Sequence, residues 1–134
     1  MSTAPNLVAT GNVYPCRFVK VGATSNSGAQ ATAGDPAVGI SQNWTRSVNL
    51  EGAISVSSPY IAVAGEGIPL WGLGQEALLE LGGTVAAGNR LKSDADGKGV
   101  VAAAADGAYA VALQSGVSGN FIRVVVVYDS VGAA

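Results

Sequence analysis

The chain contains no histidine and only one cysteine, Cys16, among its 134 residues. Without histidine it has no Ser-His or Cys-His nucleophile pair and no His-ligated metal site. A single cysteine also excludes an intrachain disulfide and a zinc site built from several cysteines. We therefore expect Cys16 to be a small buried residue, and we expect the chain not to be an enzyme.

Charged residues are scarce as well, at 12% of the chain, with a net charge of −2. An average soluble domain contains about 25%. The seven lysines and arginines form no basic cluster, so we expect no nucleic-acid binding through phosphate contacts. A surface with so few charges indicates association with itself or with another protein, or solubility that depends on uncharged polar side chains.

Long apolar runs are missing too, and they would be needed for a transmembrane span or the apolar region of a secretory signal. We therefore expect no membrane partner and synthesis in the cytoplasm. The acidic residues suggest one site only, because Asp94-Ala95-Asp96-Gly97 resembles the opening of a calcium loop. The glutamate that such a loop needs at position 12 is replaced by Ala105. The segment therefore predicts a hairpin turn, and no catalytic, cofactor-binding or metal-binding residue is predicted.

Glycine is abundant, with 19 residues, while aromatic residues make up only 6% of the chain. This composition predicts short strands joined by tight turns. Residues 121–128 contain four consecutive valines and are the clearest strand; apolar residues on both faces indicate a central strand or one covered by a partner. Residues 75–81 fit either a strand or a short helix, because good helix formers there are bounded by glycines.

A weak internal repeat divides the chain into two similar three-stranded halves. Residues 17–18 match 90–91, residues 37–40 match 110–113, and residues 60–63 resemble 121–124. Neither half could bury both of its faces alone. The predicted fold class is therefore all-β: a small β-barrel or β-sandwich, β-tulip-like, with an extended N-terminal arm.

We expect the arm to comprise residues 1–12 and a single β domain to follow at 13–134, with halves at about 13–70 and 84–128. The arm is either a frayed terminus or a segment that adds a strand to a neighbouring sheet edge. Residues 42–59 are an extra segment of the first half, and their role stays open.

Two tryptophans and two arginines are the candidates for oligomer or surface contacts. Trp44 lies among polar residues, with Arg46 nearby, and such a tryptophan is more typical of a contact residue than of a core. Trp71 is expected in the core or in the wall of an internal interface. Arg123, on the last predicted strand, completes this set.

The order and texture of several segments resemble the capsid decoration, or cement, proteins of tailed bacteriophages. The resemblance is carried by residues 81–99, 107–113 and 121–124, and more loosely by 18–21, 34–41 and 65–67. It implies a homotrimer on the outer surface of an expanded capsid, where it clamps neighbouring copies of the major capsid protein. It further implies that the arm adds to the coat protein's sheet, which makes Pro5, Leu7, Val8 and Val13 the candidate capsid contacts.

A second hypothesis belongs to a different class of function. The chain could be a carbohydrate- or receptor-binding β module of a phage tail or fibre, with Trp44 and Trp71 as stacking platforms for a sugar ring. Neither hypothesis requires a cofactor.

Overall fold

The structure is a computed structural model, and it describes residues 7–43, 47–50, 54–57, 60–103 and 106–129. Every regular element in these residues is a strand, which confirms the all-β prediction. The strands are β1 (Val8–Ala9), β2 (Phe18–Val21), β3 (Ser27–Gln30), β4 (Gly39–Ser41), β5 (Ser47–Leu50), β6 (Ile54–Ser57), β7 (Leu70–Trp71), β8 (Glu76–Glu80), β9 (Arg90–Ser93), β10 (Gly99–Val101), β11 (Ala108–Ala112) and β12 (Phe121–Asp129). Among the described residues, no helix is long and apolar enough to cross a membrane.

The strands form two five-stranded sheets and a separate hairpin. The first sheet has the order β1-β3-β2-β4-β7, the second has the order β10-β9-β11-β12-β8, and β5 pairs with β6. Four antiparallel strands in each sheet follow the same order, β3-β2-β4-β7 in one and β10-β9-β11-β12 in the other. The second sheet curls back on itself, because the Gly82 N–H, just after β8, donates to the Gly99 carbonyl of β10 at 2.9 Å.

The structure resolves one ambiguous segment and corrects one predicted strand. The ambiguous segment 75–81 contains a strand, β8 (Glu76–Glu80), which pairs with β12 rather than coiling into a helix. The third strand of the first half is not residues 60–63 but β7, which pairs with β4. The backbone of Ile61 and Ala62 instead bonds to Val13. The similarity between residues 60–63 and 121–124 was misleading, because short apolar segments do not indicate which strand they pair with.

Strand β12 lies between β11 and β8, as its apolar residues on both faces predicted. Ile122, Val124 and Val126 are buried on its inner side, whereas Phe121 and Arg123 are exposed on the other. The turn predicted at residues 94–99 is also present, because it joins β9 to its antiparallel partner β10.

The main core is shared by both sheets. Phe18 and Ile40 of the first sheet pack in one cluster with Leu79 and Leu91 of the second sheet and with Leu81, which follows β8; all five side chains are fully buried. A smaller cluster belongs to the first half alone; it includes Leu7, Val13, Val19, Ile61 and Ile68. Because most of the apolar burial comes from the shared cluster, each half depends on the other to cover its inner face.

Five turns that have a glycine at the third position share one construction. The N–H of the first residue donates to a side-chain oxygen of the fourth residue, and the N–H of the fourth donates to the carbonyl of the first. The third residue is always a glycine with a positive φ, between 73° and 90°. The turns span residues 32–35, 63–66, 72–75, 86–89 and 117–120. Before β2, Cys16 adopts a φ of 59° although it carries a side chain.

We expect these glycines to be required for their backbone conformation rather than for space. Gly88 has a φ of 90° and no atom within 4 Å of an added Cβ, so Gly88→Ala should cost about 1 kcal/mol through backbone strain alone. Gly11→Ala is the matched control, because Gly11 is equally open and lacks a positive φ. Urea unfolding of both variants measures the difference, and equal losses would contradict the assignment.

Candidate functional site

The described part of the predicted arm is built into the first sheet. The Val8 N–H donates to the Asn26 carbonyl at 2.9 Å, and on the opposite edge the Ala9 N–H donates to the Glu66 carbonyl at 2.7 Å. The Gly65 N–H returns a bond to the Ala9 carbonyl at 2.8 Å. With both edges of this segment paired inside the chain, residues 8–9 have no free edge to offer a partner sheet. Residues 8–9 of the predicted arm are thus part of the first sheet.

Two of the four candidate capsid contacts are buried within this chain. Leu7 is 8% exposed and Val13 is fully buried, both in the smaller core cluster. Both side chains stabilise the domain's own first half, and their role as capsid contacts stays a prediction. Val8 is 45% exposed and lines a shallow apolar groove with Ile68 and Pro69. Pro5 lies outside the described residues.

Two of the predicted contact residues, Trp71 and Arg123, meet in one depression on the surface. The depression has a volume of about 410 Å³ and is lined by Trp71, Glu76, Ala77, Leu78 and Arg123. Trp71 is half-buried and packs against the main core, as expected of a residue in the core or in an interface wall. Trp44 and Arg46 lie outside the described residues, so their role as oligomer or surface contacts stays a prediction.

The pairing of β8 with β12 positions the polar side chains of the depression. Arg123 lies opposite Leu78, and Val125 lies opposite Glu76. The Arg123 guanidinium forms an ion pair with the Glu76 carboxylate; the two side chains are 57% and 46% exposed. A pair this exposed contributes no more than about 1 kcal/mol to stability, so its charges are available to a partner at little cost.

The depression belongs to a wider apolar surface, which we call the outer face of the second sheet. It comprises Leu78, Val111, Leu113, Phe121, Arg123 and Val125, with Glu76 paired to Arg123. Glu80 and Arg90 lie on the same face at its margins, opposite Phe121 and Val111. Phe121 is 55% exposed and Leu113 is 46% exposed. Sequence reasoning missed Leu78, Leu113 and Phe121 as surface residues, although the two apolar sides of β12 were a signal for a covered sheet.

A largely buried ionic network joins the two halves at Glu80, the last residue of β8. The Nε of Arg17 donates to Glu80 at 3.1 Å, and another guanidinium nitrogen donates to the Asp96 carbonyl at 2.9 Å. The guanidinium also lies 4.7 Å from the centre of the Tyr14 ring. Arg17 directly precedes β2, and its guanidinium is bonded to Glu80 of β8 and to the Asp96 carbonyl, so it holds the start of β2 against β8.

The titratable groups of the described residues offer little reactive chemistry. Cys16 is buried, as predicted, and burial raises the pKa of its thiol to about 11. It is therefore protonated and unreactive at neutral pH. No group of three or more metal-binding side chains occurs within the described part of the chain.

Two aspartates, Asp35 and Asp106, make the stability of the folded chain depend on pH in the acid range. The pKa of Asp106 is lowered by the hydrogen bond from Lys92 at 2.7 Å and by the Ala103 N–H, and the Thr32 hydroxyl and N–H lower the pKa of Asp35. A lowered pKa in the folded state means that the unfolded chain takes up protons first as pH falls. The stabilisation is therefore complete above the ordinary aspartate pKa of about 3.9 and is lost as pH falls below it.

We expect Asp106→Asn to lose less stability than the unmodified chain between pH 5 and about pH 2, because asparagine does not titrate. Urea midpoints at several pH values measure this slope. The variant should be less stable than the unmodified chain at neutral pH, and the two should converge in acid. Parallel pH profiles would show that Asp106 is not responsible.

Comparison with known proteins shows the fold. No protein-family model matches this sequence, and no curated protein matches it. Among solved structures, the chain is similar to the N base of the head fiber protein gp8.5 of bacteriophage phi29, with a TM-score of 0.53 and 14% sequence identity. The similarity covers 97% of this chain and 98% of that chain. The two share a fold from one end to the other.

Proposed function

We propose that this chain is a non-enzymatic structural protein of a tailed-phage virion. In this proposal it binds the outer surface of the capsid as a homotrimer and cements neighbouring copies of the major capsid protein. The observation that carries the proposal is the end-to-end similarity of its fold to the base of a phage head fiber. The resemblance of residues 81–124 to cement proteins supports the same class of function.

The surface chemistry supports a binding role rather than a catalytic one. In the part of the chain that the structure describes, the groove beside Val8 and the outer face of the second sheet are exposed apolar regions. The outer face carries the paired charges of Arg123 and Glu76, so its burial would leave neither charge without a partner. The core shared by both sheets and the five hydrogen-bonded glycine turns support a rigid domain, and a protein that clamps coat subunits together needs rigidity.

Binding to expanded heads that lack this protein tests the proposal by co-sedimentation. We expect saturable binding that Val8→Asp weakens at least about tenfold, because a charge would be buried against the coat. Val101→Asp is the control, since Val101 is 43% exposed but lies on β10 of the second sheet. Absence of binding would contradict the proposed function, and equal weakening by both variants would remove Val8 from the contact.

The depression at Trp71 favours one other function, the binding of a carbohydrate or receptor. An aromatic ring beside a carboxylate and a guanidinium can stack on a sugar ring and hydrogen-bond its hydroxyls, and Trp71, Glu76 and Arg123 provide these groups. Titration of tryptophan fluorescence with cell-surface sugars tests it. A saturable shift lost in Trp71→Ala and kept in Trp44→Ala would support this function over cementing.

A further inference from the structure

Strand β8 has one edge that the second sheet leaves open. It is the last strand in the order of that sheet, and within the sheet it pairs with β12 on one side only. At its C-terminal end the other edge is closed, because the Glu80 N–H donates to the Cys16 carbonyl at 2.9 Å. Along residues 76–78, no hydrogen bond joins this edge to another residue in the part of the chain that the structure describes. We call residues 76–78 the open edge of β8.

The register against β12 shows which backbone groups point to the open edge. Leu78 lies opposite Arg123. The Arg123 N–H donates to the Gln114 side chain and its carbonyl accepts from the Leu113 N–H, both at 2.9 Å and both on the β11 side of β12. Leu78 and Arg123 are therefore a non-hydrogen-bonded pair, and the N–H and C=O of Leu78 point away from β12. Because this pattern alternates along a strand, the N–H and C=O of Glu76 point the same way.

The open edge of β8 lies in the depression at Trp71. Glu76, Ala77 and Leu78 line the depression along β8, and Trp71 of the first sheet provides another wall. Its volume of about 410 Å³ is within the range of pockets that enclose a ligand. Such a depression admits a single extended segment more readily than the sheet edge of a second folded copy.

The spacing of the unpaired backbone groups indicates what binds there. Donors and acceptors on alternate residues of an edge strand match those of another extended chain, so an open edge is a template for an added strand. The walls formed by Trp71 and Leu78 favour an apolar side chain on that strand. The occupant that fits both features is an extended peptide segment with an apolar residue.

We infer that an extended segment of the coat protein adds to the open edge of β8 as a sixth strand of the second sheet. This inference rests on the capsid binding in the proposed function and names the surface and the mode of recognition. Main-chain hydrogen bonds to Glu76 and Leu78 provide affinity, and the contact of an apolar side chain with Trp71 provides selectivity.

Leu78→Pro tests the inference, because proline removes the outward N–H and leaves the hydrogen bonds between β8 and β12 in place. In co-sedimentation with expanded heads that lack this protein, it should bind at least about tenfold more weakly, since a carbonyl of the added strand loses its donor. Val101→Pro is the matched control. Val101 lies opposite Leu91 on β10, and the Ala102 N–H, not that of Val101, donates to Arg90 of β9. This variant loses an outward N–H at a different edge and should bind like the unmodified chain.

Hydrogen exchange on the unmodified chain provides a second measurement that does not depend on the folding of a variant. The Leu78 amide should exchange at least about tenfold more slowly on heads than in the free chain, and the Val101 amide should exchange alike in both. Unchanged exchange at Leu78 on bound heads, or full binding by folded Leu78→Pro, would overturn the inference and leave capsid binding intact.

The source of the added strand is decided by the same measurement without heads. If the Leu78 amide became protected in the free chain as its concentration rose, the strand would come from a second copy, and the inference would be wrong. If the unmodified chain did not bind heads at all, the proposed function and the inference would both be contradicted.

Discussion

Leu79→Ala is expected to lower the free energy of unfolding by about 2–5 kcal/mol. Leu79 lies on β8, is fully buried, and belongs to the cluster shared by both sheets. Its side chain also fills the space left by Gly99 of β10, where an added Cβ would lie 2.5 Å from the Leu79 Cδ2. The deletion therefore removes apolar burial and leaves a cavity between the two halves, and urea unfolding measures the loss.

Leu73→Ala is the matched control, because Leu73 is 55% exposed in the turn between β7 and β8. It should change the free energy of unfolding by no more than about 0.5 kcal/mol. Both variants should unfold in one transition, since the core joins the halves. A second transition in Leu79→Ala would show that the halves are independently stable and would contradict the shared core.

Arg17→Met is expected to be equally severe, at about 3–5 kcal/mol, because it breaks a buried ion pair on one side only. The side chains of Arg17 and Glu80 are 11% and 17% exposed, and the two groups are 3.1 Å apart. After the substitution the Glu80 carboxylate retains, among the described residues, the ion pair with Lys98 at 3.5 Å, and the Asp96 carbonyl loses the Arg17 donor. Methionine keeps the aliphatic part of the side chain, so the loss reports on the charge and its hydrogen bonds.

Lys20→Met provides the comparison on β2. Lys20 lies 3.0 Å from Asp35, but the two side chains are 33% and 28% exposed, so this pair should contribute no more than about 1 kcal/mol. Chemical denaturation at neutral pH measures both variants. If Arg17→Met were no worse than Lys20→Met, the network would not hold the two halves together.

Features set by neighbouring residues could be predicted from the sequence. The glycine-rich turn at residues 94–99 and the β-branched residues of β12 carry their conformation locally. The five glycine-containing turns are partly predictable as well, because in each of them the glycine is followed by an aspartate, glutamate, asparagine or glutamine. Gly11 is also followed by an asparagine but has no positive φ, so this pattern does not give the number of turns.

Features set by distant partners could not be predicted. No pattern around Val8 and Ala9 indicates that these residues lie between β3 and residues 65–66. The meeting of Trp71 with Arg123 depends on the register of β12 against β8, which no local pattern encodes. Residues 60–63 were misassigned for the same reason, since strand pairing depends on residues that are distant in the sequence, and several apolar segments of this chain are similar.

The thermal stability of expanded phage heads tests the central claim most directly. Heads assembled without this protein are heated in the presence and absence of a saturating amount of the purified chain, and DNA release is recorded against temperature. If the chain cements neighbouring coat subunits, release should shift to a higher temperature, and the shift should disappear in variants that do not bind heads. Release at the same temperature with the chain bound would contradict cementing.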